Sequence, residues 1–218
     1  MDNDKVYVDA KKLPDHQPLH PYIMRPYKAK DYSHLIGLEG FSQAGLQSHF
    51  QAYQGYVDRA KAHLERLRSM LNEGKTGIPQ CAELRKRFAY EFNGMRLHEH
   101  YFDNLGRKND IDSGGLLYRV LIENFGSFDL WKIDFVAAAT MPGRGWAVLY
   151  HDTESGHLTN SWIMENGFNH FVGCKPLLVI DAWEDAYAVD YALHREKYVE
   201  TFLKNIDWVT VANRFECV

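Results

Sequence analysis

The sequence predicts an α+β fold, in which an N-terminal antiparallel helical hairpin precedes a C-terminal α/β domain with a small three-stranded antiparallel sheet. Two observations support this. Apolar residues recur every three or four positions in two long stretches that a short turn separates, which is typical of paired helices. Strand-like runs with turn residues between them occupy the carboxy-terminal half. We expect an extended arm over 1–37, a helical hairpin domain over 38–110 and an α/β domain over 111–218.

Each element of the first half follows from its own pattern. Residues 1–37 contain four of the seven prolines and show little periodicity, so they are predicted to form an extended arm. Helical periodicity then runs over about 43–72 and again over about 81–105, with the turn GKTGIP at 74–79 between the two helices. The polar, glycine-rich stretch GRKNDIDSGG at 106–115 marks the predicted domain boundary.

The second half alternates helix and strand patterns. Helical patterns resume at 115–140. Two strand-like runs, GWAVLYHD at 145–152 and HLTNSWIME at 157–165, flank the turn residues TESG, which predicts a β-hairpin. The apolar run KPLLVIDAW at 175–183 predicts a buried third strand that leads into one helix over 184–204. The carboxy-terminal half is therefore expected to hold a small antiparallel sheet with helices packed on it.

Composition excludes several classes of protein. With 218 residues, 45% of them hydrophobic and 25% charged, the chain is too apolar for intrinsic disorder, and no apolar run reaches the roughly 18 residues of a membrane span. A net charge of -4 argues against a protein that binds nucleic acid through many phosphate contacts. The amino terminus lacks the basic and apolar regions of a secretory signal, so we expect a cytoplasmic protein with reduced thiols.

The candidate chemistry rests on histidine and aspartate. The common nucleotide-binding, serine-hydrolase and HExxH zinc motifs do not occur in the sequence, but 11 histidines do. His49 and His98 lie on the apolar stripes of the two long helices, whereas Asp181 ends the third strand and Asp185 follows one turn later. A buried carboxylate needs a partner or a metal, because desolvating the bare ion costs several kcal/mol.

A simpler interpretation of the same residues is also open. A single histidine on an apolar helix face is more often a hydrogen-bonded core residue than a metal ligand. Asp181 could cap the helix that begins at Trp183, since aspartate is a favoured residue at the start of a helix. The pattern of residues alone is therefore compatible both with a His/Asp metal site and with ordinary core and capping residues.

The surrounding sequence resembles the iron/manganese superoxide dismutases over roughly residues 26–215, nearly the whole chain. The similar segments occur in the family's order and are QSHFQAYQGYV (47–57), FNGMRLHEHYFDNL (92–105), FGSFDLWKIDFVAAA (125–139), GRGWAVL (143–149), PLLVIDAWEDAYAVDY (176–191) and REKYVETFLKNIDWVTVANRF (195–215). The fifth segment resembles the family signature D-x-W-E-H-A-Y. The resemblance implies the family's fold, with a metal between a helical hairpin and an α/β domain, which agrees with the elements predicted above.

The resemblance also implies roles for individual residues. His49, His98 and Asp181 correspond to metal ligands for one Fe or Mn ion per chain. The residues implied at the pocket and the interface are Tyr56 at the substrate funnel, Trp146 and Trp183 as aromatic walls, and Glu184 near the partner subunit of a homodimer or homotetramer. Two neutral imidazoles and one carboxylate suit Fe or Mn, which accept mixed nitrogen and oxygen ligands.

The chain departs from the family at several of these positions. Asp185 stands where the family has its fourth ligand, a histidine, so either Asp185 binds the metal with its shorter reach or the site keeps two histidines and one carboxylate. Gly94 stands where some members have a glutamine beside the metal-bound solvent, which leaves Asn166 and His170 as candidates for that role. Tyr56 comes one residue early, and one residue rotates a helix by about 100° unless a bulge absorbs it.

These observations favour a superoxide dismutase, which converts superoxide to oxygen and hydrogen peroxide at a mononuclear Fe or Mn site. An alternative is a repurposed metalloprotein of the same fold, whose 2-His-carboxylate site performs other oxygen or redox chemistry. A third hypothesis is a scaffold without catalytic function. The expected substrate is superoxide or another small oxygen species, and neither nucleic acid nor a membrane is an expected partner.

Overall fold

The structure, a computed structural model, describes residues 26–106 and 110–217. Of the predicted arm over 1–37, residues 1–25 lie outside the described part of the chain. The described end of the arm is held against the hairpin, since the backbone N–H of Lys30 donates to the Tyr53 hydroxyl at 3.1 Å. The domain bounds expected from the sequence remain a prediction.

Two long helices form the predicted hairpin, α1 over Gln43–Asn72 and α2 over Pro79–Asp103. The Ser42 hydroxyl begins α1 by accepting a hydrogen bond from the backbone N–H of Gly45 at 2.9 Å. Proline is tolerated in the first turn of α2 because the N–H that it lacks has no partner within a helix at that position. The two helices pack along each other, and α2 also contacts the last strand of the sheet.

The second half of the chain adds a three-stranded sheet and five helices within the described residues. The bounds are α3 Leu116–Phe125, α4 Phe128–Ala139, β1 Gly145–Asp152, β2 Leu158–Met164, β3 Cys174–Asp181, α5 Glu184–Tyr191, α6 Arg195–Lys204 and α7 Trp208–Glu216. The strands are antiparallel in the order β2-β1-β3, so β1 is central and almost entirely buried. The predicted α+β class and the three-stranded antiparallel sheet are confirmed.

The helix predicted over 184–204 is wrong, because the chain forms two helices there, α5 and α6. The break lies at Ala192, whose φ of 49° falls in the left-handed region that residues other than glycine rarely adopt. Tertiary contacts hold the chain at this point. The Tyr191 hydroxyl donates to the backbone carbonyl of Gly40 and lies 2.8 Å from the Thr201 hydroxyl. Contacts of this kind override the local helical pattern.

The end of α2 and helix α7 are both joined to the sheet by hydrogen bonds. Asn104, directly after α2, donates its side-chain amide to the Val179 carbonyl of β3 at 2.6 Å. Arg214 of α7 donates to the Leu177 carbonyl of the same strand at 2.8 Å. Helix α2 packs against β3, whose last residue is the candidate Asp181. Among residues 26–106 and 110–217, no helix is both long and apolar enough to cross a membrane.

Candidate metal centre

His49, His98 and Asp181 meet in the interior where α1, α2 and β3 come together. The Nε2 atom of His49 lies 3.0 Å from Oδ2 of Asp181, and Nε2 of His98 lies 3.7 Å from the same oxygen. One nitrogen or oxygen atom of each residue lies within 4.8 Å of the other two. All three residues are buried, with 2–3% of their surface exposed. Within the part of the chain that the structure describes, this is the group of histidine and carboxylate side chains that can hold a metal ion.

Each of the three residues is placed by the apolar pattern of its own element. His49 and His98 lie among the buried residues of α1 and α2, between aromatic side chains that form the hairpin core. Asp181 is the last residue of β3, and its neighbour across the sheet is Trp146 of β1. The two long helices and the pairing of β1 with β3 therefore fix the three backbone positions from which these side chains converge.

Hydrogen bonds on the far side of His98 and Asp181 orient these two side chains. Nδ1 of His98 lies 2.6 Å from the Gly94 carbonyl, and a carbonyl can only accept. Nδ1 therefore carries the proton, which leaves the lone pair of Nε2 free for a metal. Oδ1 of Asp181 accepts from the backbone N–H of Trp183 at 2.8 Å, so Oδ2 is the oxygen that faces the histidines. Asp181 therefore supports the start of α5. It also belongs, with His49 and His98, to the group of three candidate metal ligands, the ligand group.

Burial shifts the pKa of all three side chains toward their neutral forms. It lowers the pKa of His49 to about 3 and that of His98 to about 4, so both imidazoles are neutral at neutral pH, as metal ligands must be. It raises the pKa of Asp181 to about 7, because water is excluded from the carboxylate. A bound cation would favour the ionised carboxylate. Two neutral nitrogens and one carboxylate oxygen fit Fe or Mn.

Aromatic side chains lie close to the group of three residues. The Trp146 ring lies 4.9 Å from the His98 ring, is fully buried and donates from Nε1 to Oδ1 of Asn166 at 2.9 Å. The Tyr56 ring lies 5.0 Å from the His98 ring. Trp183 is half-buried, and its Nε1 atom is buried without a hydrogen-bond partner among the described residues.

Tyr56 reaches the ligand group although α1 is a regular α-helix through this region. Gly94 makes this contact possible, since a Cβ at that position would lie 2.5 Å from Cδ1 of Tyr56 and 2.8 Å from Nδ2 of Asn166. The same Nδ2 atom is buried and has no hydrogen-bond partner among the described residues. It is therefore a buried donor beside the Tyr56 ring. Burial raises the pKa of the Tyr56 hydroxyl. The nearby side chain of Asn166 has the smaller, opposite effect of lowering that pKa.

His170 supports Asn166 and does not join the ligand group. Its Nε2 atom lies 3.0 Å from the Asn166 carbonyl, and the side-chain amide of Asn93 donates to the same carbonyl at 2.9 Å. His170 and Asn93 therefore hold the backbone from which the Asn166 side chain reaches the site. Of the two candidates for a solvent-binding group, Asn166 is the one that lies beside Tyr56 and Trp146.

Asp185 lies outside the group of three. It is exposed in the first turn of α5, next to the exposed Glu184. Its negative charge opposes the effect of burial on the pKa of His49, so it lies near the ligands without being one of the three residues that meet. The geometry corresponds to the second arrangement that the sequence left open, two histidines and one carboxylate.

Several residues near the site were not singled out from the sequence. Tyr53 stacks on His98 with 6.1 Å between ring centroids, and its hydroxyl donates to Oε1 of Glu99 at 3.1 Å. The available signal was its position four residues after His49, which places both on one face of α1. The guanidinium carbon of Arg59 lies 4.9 Å from the centroid of the Tyr56 ring, and burial raises the pKa of the nearby Tyr90 to about 12.

Comparison with known proteins points in the same direction as the geometry. The family model described as "Iron/manganese superoxide dismutases, C-terminal domain" matches residues 113–214. The chain is 34% identical to "Superoxide dismutase [Fe]" of Aquifex pyrophilus over 86% of this chain and 90% of that protein. It is 35% identical to "Superoxide dismutase [Fe]" of Saccharolobus solfataricus over 88% of each chain.

A manganese protein is similar as well. The chain is 32% identical to "Superoxide dismutase [Mn] 2" of Haloferax volcanii over 77% of this chain and 83% of that protein. The similarity to these relatives spans both the helical hairpin and the α/β half, in agreement with the fold. On this evidence the chain belongs to the iron/manganese superoxide dismutase family.

Proposed function

We propose that the chain is a superoxide dismutase that converts two superoxide ions and two protons into one molecule of oxygen and one of hydrogen peroxide. His49, His98 and Asp181 would hold one Fe or Mn ion per chain. The observation that carries this proposal is the buried group of three ligand atoms within 4.8 Å of one another. The names of the relatives, which include both [Fe] and [Mn] proteins, support the same metals.

The residues around the ligands have separate tasks under this proposal. When bound, the metal supplies one-electron redox chemistry, which oxidises one superoxide ion and reduces the next. Trp146 and Tyr56 form apolar walls that exclude bulk water and limit the pocket to small ligands. Asn166 presents its unpartnered Nδ2 as a hydrogen-bond donor to solvent at the metal. The Tyr56 hydroxyl keeps its proton at neutral pH, since burial raises its pKa.

The exposed position of Asp185 favours the repurposed metalloprotein as a second candidate. Without a fourth protein ligand, the metal would keep open positions for another small ligand, as in non-haem iron oxygenases. The burial of two histidines and an aspartate in one place argues against the scaffold hypothesis. Burying such polar groups costs free energy because they lose their hydration. A scaffold without a metal would gain nothing that offsets this cost.

Metal analysis and a superoxide-consumption assay of Fe- and Mn-loaded protein test the proposal. We expect about one ion per chain and catalysis far above background in at least one metal form. Stoichiometric metal with background activity in both forms would favour the repurposed enzyme, and absence of stoichiometric metal would favour the scaffold. His98→Gln is expected to abolish metal binding, and His100→Gln, two residues along the same helix, is the matched control.

We also propose a symmetric homodimer or homotetramer in the cytoplasm, with Glu184 near the interface. The exposure of Glu184 on α5 is compatible with this placement. Mass determination by light scattering tests the assembly, and Glu184→Ala is expected to shift it toward monomer. A wild-type monomer at micromolar concentration would contradict this part of the proposal.

A further inference from the structure

The sequence contains two Asn-Gly pairs, Asn93–Gly94 and Asn166–Gly167. Asparagine is chemically labile, because the backbone nitrogen of the next residue can attack its side-chain amide carbon. A glycine at that next position leaves the attack unobstructed, since it has no Cβ. The two pairs meet where the side-chain amide of Asn93 donates to the backbone carbonyl of Asn166 at 2.9 Å. Their own backbones nevertheless lie in opposite environments.

The first pair has a backbone that a helix holds in place. Asn93 and Gly94 lie in the interior of α2, where each backbone N–H donates to the carbonyl four residues earlier. The nitrogen of Gly94 is therefore already bonded, and Gly94 is buried as well. The helical dihedrals on both sides also keep this nitrogen from turning toward the Asn93 side chain. We expect this pair to be stable while the protein is folded.

The second pair lies in the turn after β2 and has an unbonded backbone nitrogen. The N–H of Gly167 donates no hydrogen bond within the part of the chain that the structure describes. Gly167 is exposed, and beyond its chain neighbours no atom lies within 4 Å of the place that a Cβ would occupy. The carbonyl of the same peptide group accepts from the Asn93 amide and from Nε2 of His170. These two donors draw electron density from the peptide group and make the Gly167 N–H more acidic.

The side chain of Asn166 is also arranged for attack by that nitrogen. Its Oδ1 atom accepts from Nε1 of Trp146 at 2.9 Å, which polarises the amide carbon and stabilises the negative charge that develops on the oxygen. Its Nδ2 atom, which would be the leaving group, is buried and has no hydrogen-bond partner among the described residues. The oxygen of this amide is therefore held by a donor, whereas the nitrogen that must depart is not.

We propose that Asn166–Gly167 is a site of spontaneous modification, at which Asn166 is converted to aspartate and isoaspartate. A bond forms between the backbone nitrogen of Gly167 and Cγ of Asn166, and the bond between Cγ and Nδ2 breaks. Ammonia leaves with the proton of the Gly167 N–H, so a cyclic imide remains. Water then opens the imide at either of its carbonyls. Water is the only co-reactant, and the inference depends neither on a bound metal nor on the proposed function.

Incubation of the full-length protein at mildly alkaline pH, followed by peptide mapping with mass spectrometry, tests this inference. We expect conversion at Asn166 to be about tenfold or more faster than at Asn93, because the placement of the reacting atoms strongly affects the rate. Asn93 is thus an internal control with the same next residue. Labelling by an isoaspartate methyltransferase identifies the isoaspartate product. Equal rates at the two asparagines of the folded protein would overturn the inference.

Denaturation separates the effect of the turn from that of the local sequence. In urea the two pairs lose their different surroundings, so we expect similar rates at Asn93 and Asn166. If the tenfold difference persisted in urea, the role of the folded turn would be overturned.

Gly167→Ala tests whether the Gly167 nitrogen is the attacking group. The variant should fold normally, because the new Cβ would meet no atom and the φ of Gly167 lies outside the left-handed region. The added methyl group obstructs the approach of the nitrogen, so conversion at Asn166 should slow about tenfold. Unchanged conversion in this variant would overturn the proposed route through the cyclic imide.

Discussion

Two glycines in the interiors of α1 and α2 lie beside Tyr56 in different steric surroundings. A Cβ at Gly94 would meet the Tyr56 ring at 2.5 Å and Asn166 at 2.8 Å, and both of these side chains are packed in the site. A Cβ at Gly55 would meet the movable end of Arg59. The same substitution to alanine is therefore expected to have opposite effects on stability at the two positions.

Gly94→Ala should lower the free energy of unfolding by about 1–3 kcal/mol, because overpacking outweighs the helix preference of alanine. Gly55→Ala should raise it by up to about 1 kcal/mol, because the Arg59 side chain can move aside. Urea denaturation of both variants beside the wild type measures the difference. A Gly94→Ala protein as stable as the wild type would show that Tyr56 does not occupy this space.

Asp181 and Asp185 of the fifth family segment differ in burial, and we expect them to differ in metal binding. Asp181→Asn should abolish stoichiometric metal, because it removes the carboxylate that faces both histidines. Asp185→Asn should leave the metal content unchanged, because Asp185 is exposed and lies outside the ligand group. Elemental analysis of the two variants measures this. Equal loss of metal in both would place Asp185 among the ligands.

His100 provides a pH-dependent contribution to stability. Burial lowers its pKa from 6.5 to about 4, and the nearby charge of Arg214 acts in the same direction. Since the folded protein takes up this proton less readily than the unfolded chain, stability falls as the pH drops below 6.5 toward 4. From pH 7 to pH 5, the wild type should lose up to about 2 kcal/mol more than His100→Gln, as measured by denaturation at both values. An equal loss of stability in the two proteins would contradict the lowered pKa of His100.

At the residue scale, the candidate metal ligands could be predicted from the sequence, whereas their surroundings could not. His49, His98 and Asp181 lie in segments whose neighbours resemble a known family, so a single chain was enough to select them. Asn166 lies in the turn after β2, and the direction of its side chain depends on Trp146 of β1. The path of Arg59 depends on a glutamate 32 residues away. Neither contact can be predicted from a local sequence pattern, because the partners are distant in sequence.

The elements with a clear period were predicted well. The helical repeats of α1 and α2 and the alternation of the strands are local, so their bounds could be placed within about two residues. The break between α5 and α6 carries neither glycine nor proline, and Ala192 adopts its positive φ because distant groups hold the chain. The sequence therefore predicted one helix where the structure has two.

Tyr191→Phe tests what holds this break. Loss of the hydroxyl removes hydrogen bonds with the Gly40 carbonyl and the Thr201 hydroxyl, which should lower the free energy of unfolding by about 1–2 kcal/mol. Tyr118→Phe is the matched control, because its hydroxyl makes no hydrogen bond within the described residues and its ring keeps its stack on Phe128. Thermal denaturation compares the two. Equal Tm values would contradict this role of Tyr191.

Across the whole molecule, the ligand group joins the two halves of the chain. His49 and His98 come from the helical hairpin, whereas Asp181 comes from the sheet. A metal held by all three would therefore link elements that are distant in sequence. The overall topology could be expected from the family resemblance, but the assembly of subunits depends on surfaces that a single sequence does not specify.

Metal binding should therefore stabilise the entire fold. At a free metal concentration of 100 times the Kd, the gain in unfolding free energy is expected to be about 2.7 kcal/mol. Differential scanning calorimetry of metal-loaded and chelator-treated protein measures the corresponding rise in Tm. His98→Gln should show no such rise, and a rise of equal size in this variant would mean that the metal binds elsewhere.

Anomalous diffraction from crystals of the metal-loaded protein, recorded at the Fe and Mn absorption edges, tests the proposed centre most directly. We expect one peak per chain, within bonding distance of Nε2 of His49, Nε2 of His98 and Oδ2 of Asp181, with Asp185 outside that distance. A peak at another position, or no peak in protein that carries stoichiometric metal, would contradict the proposed metal centre.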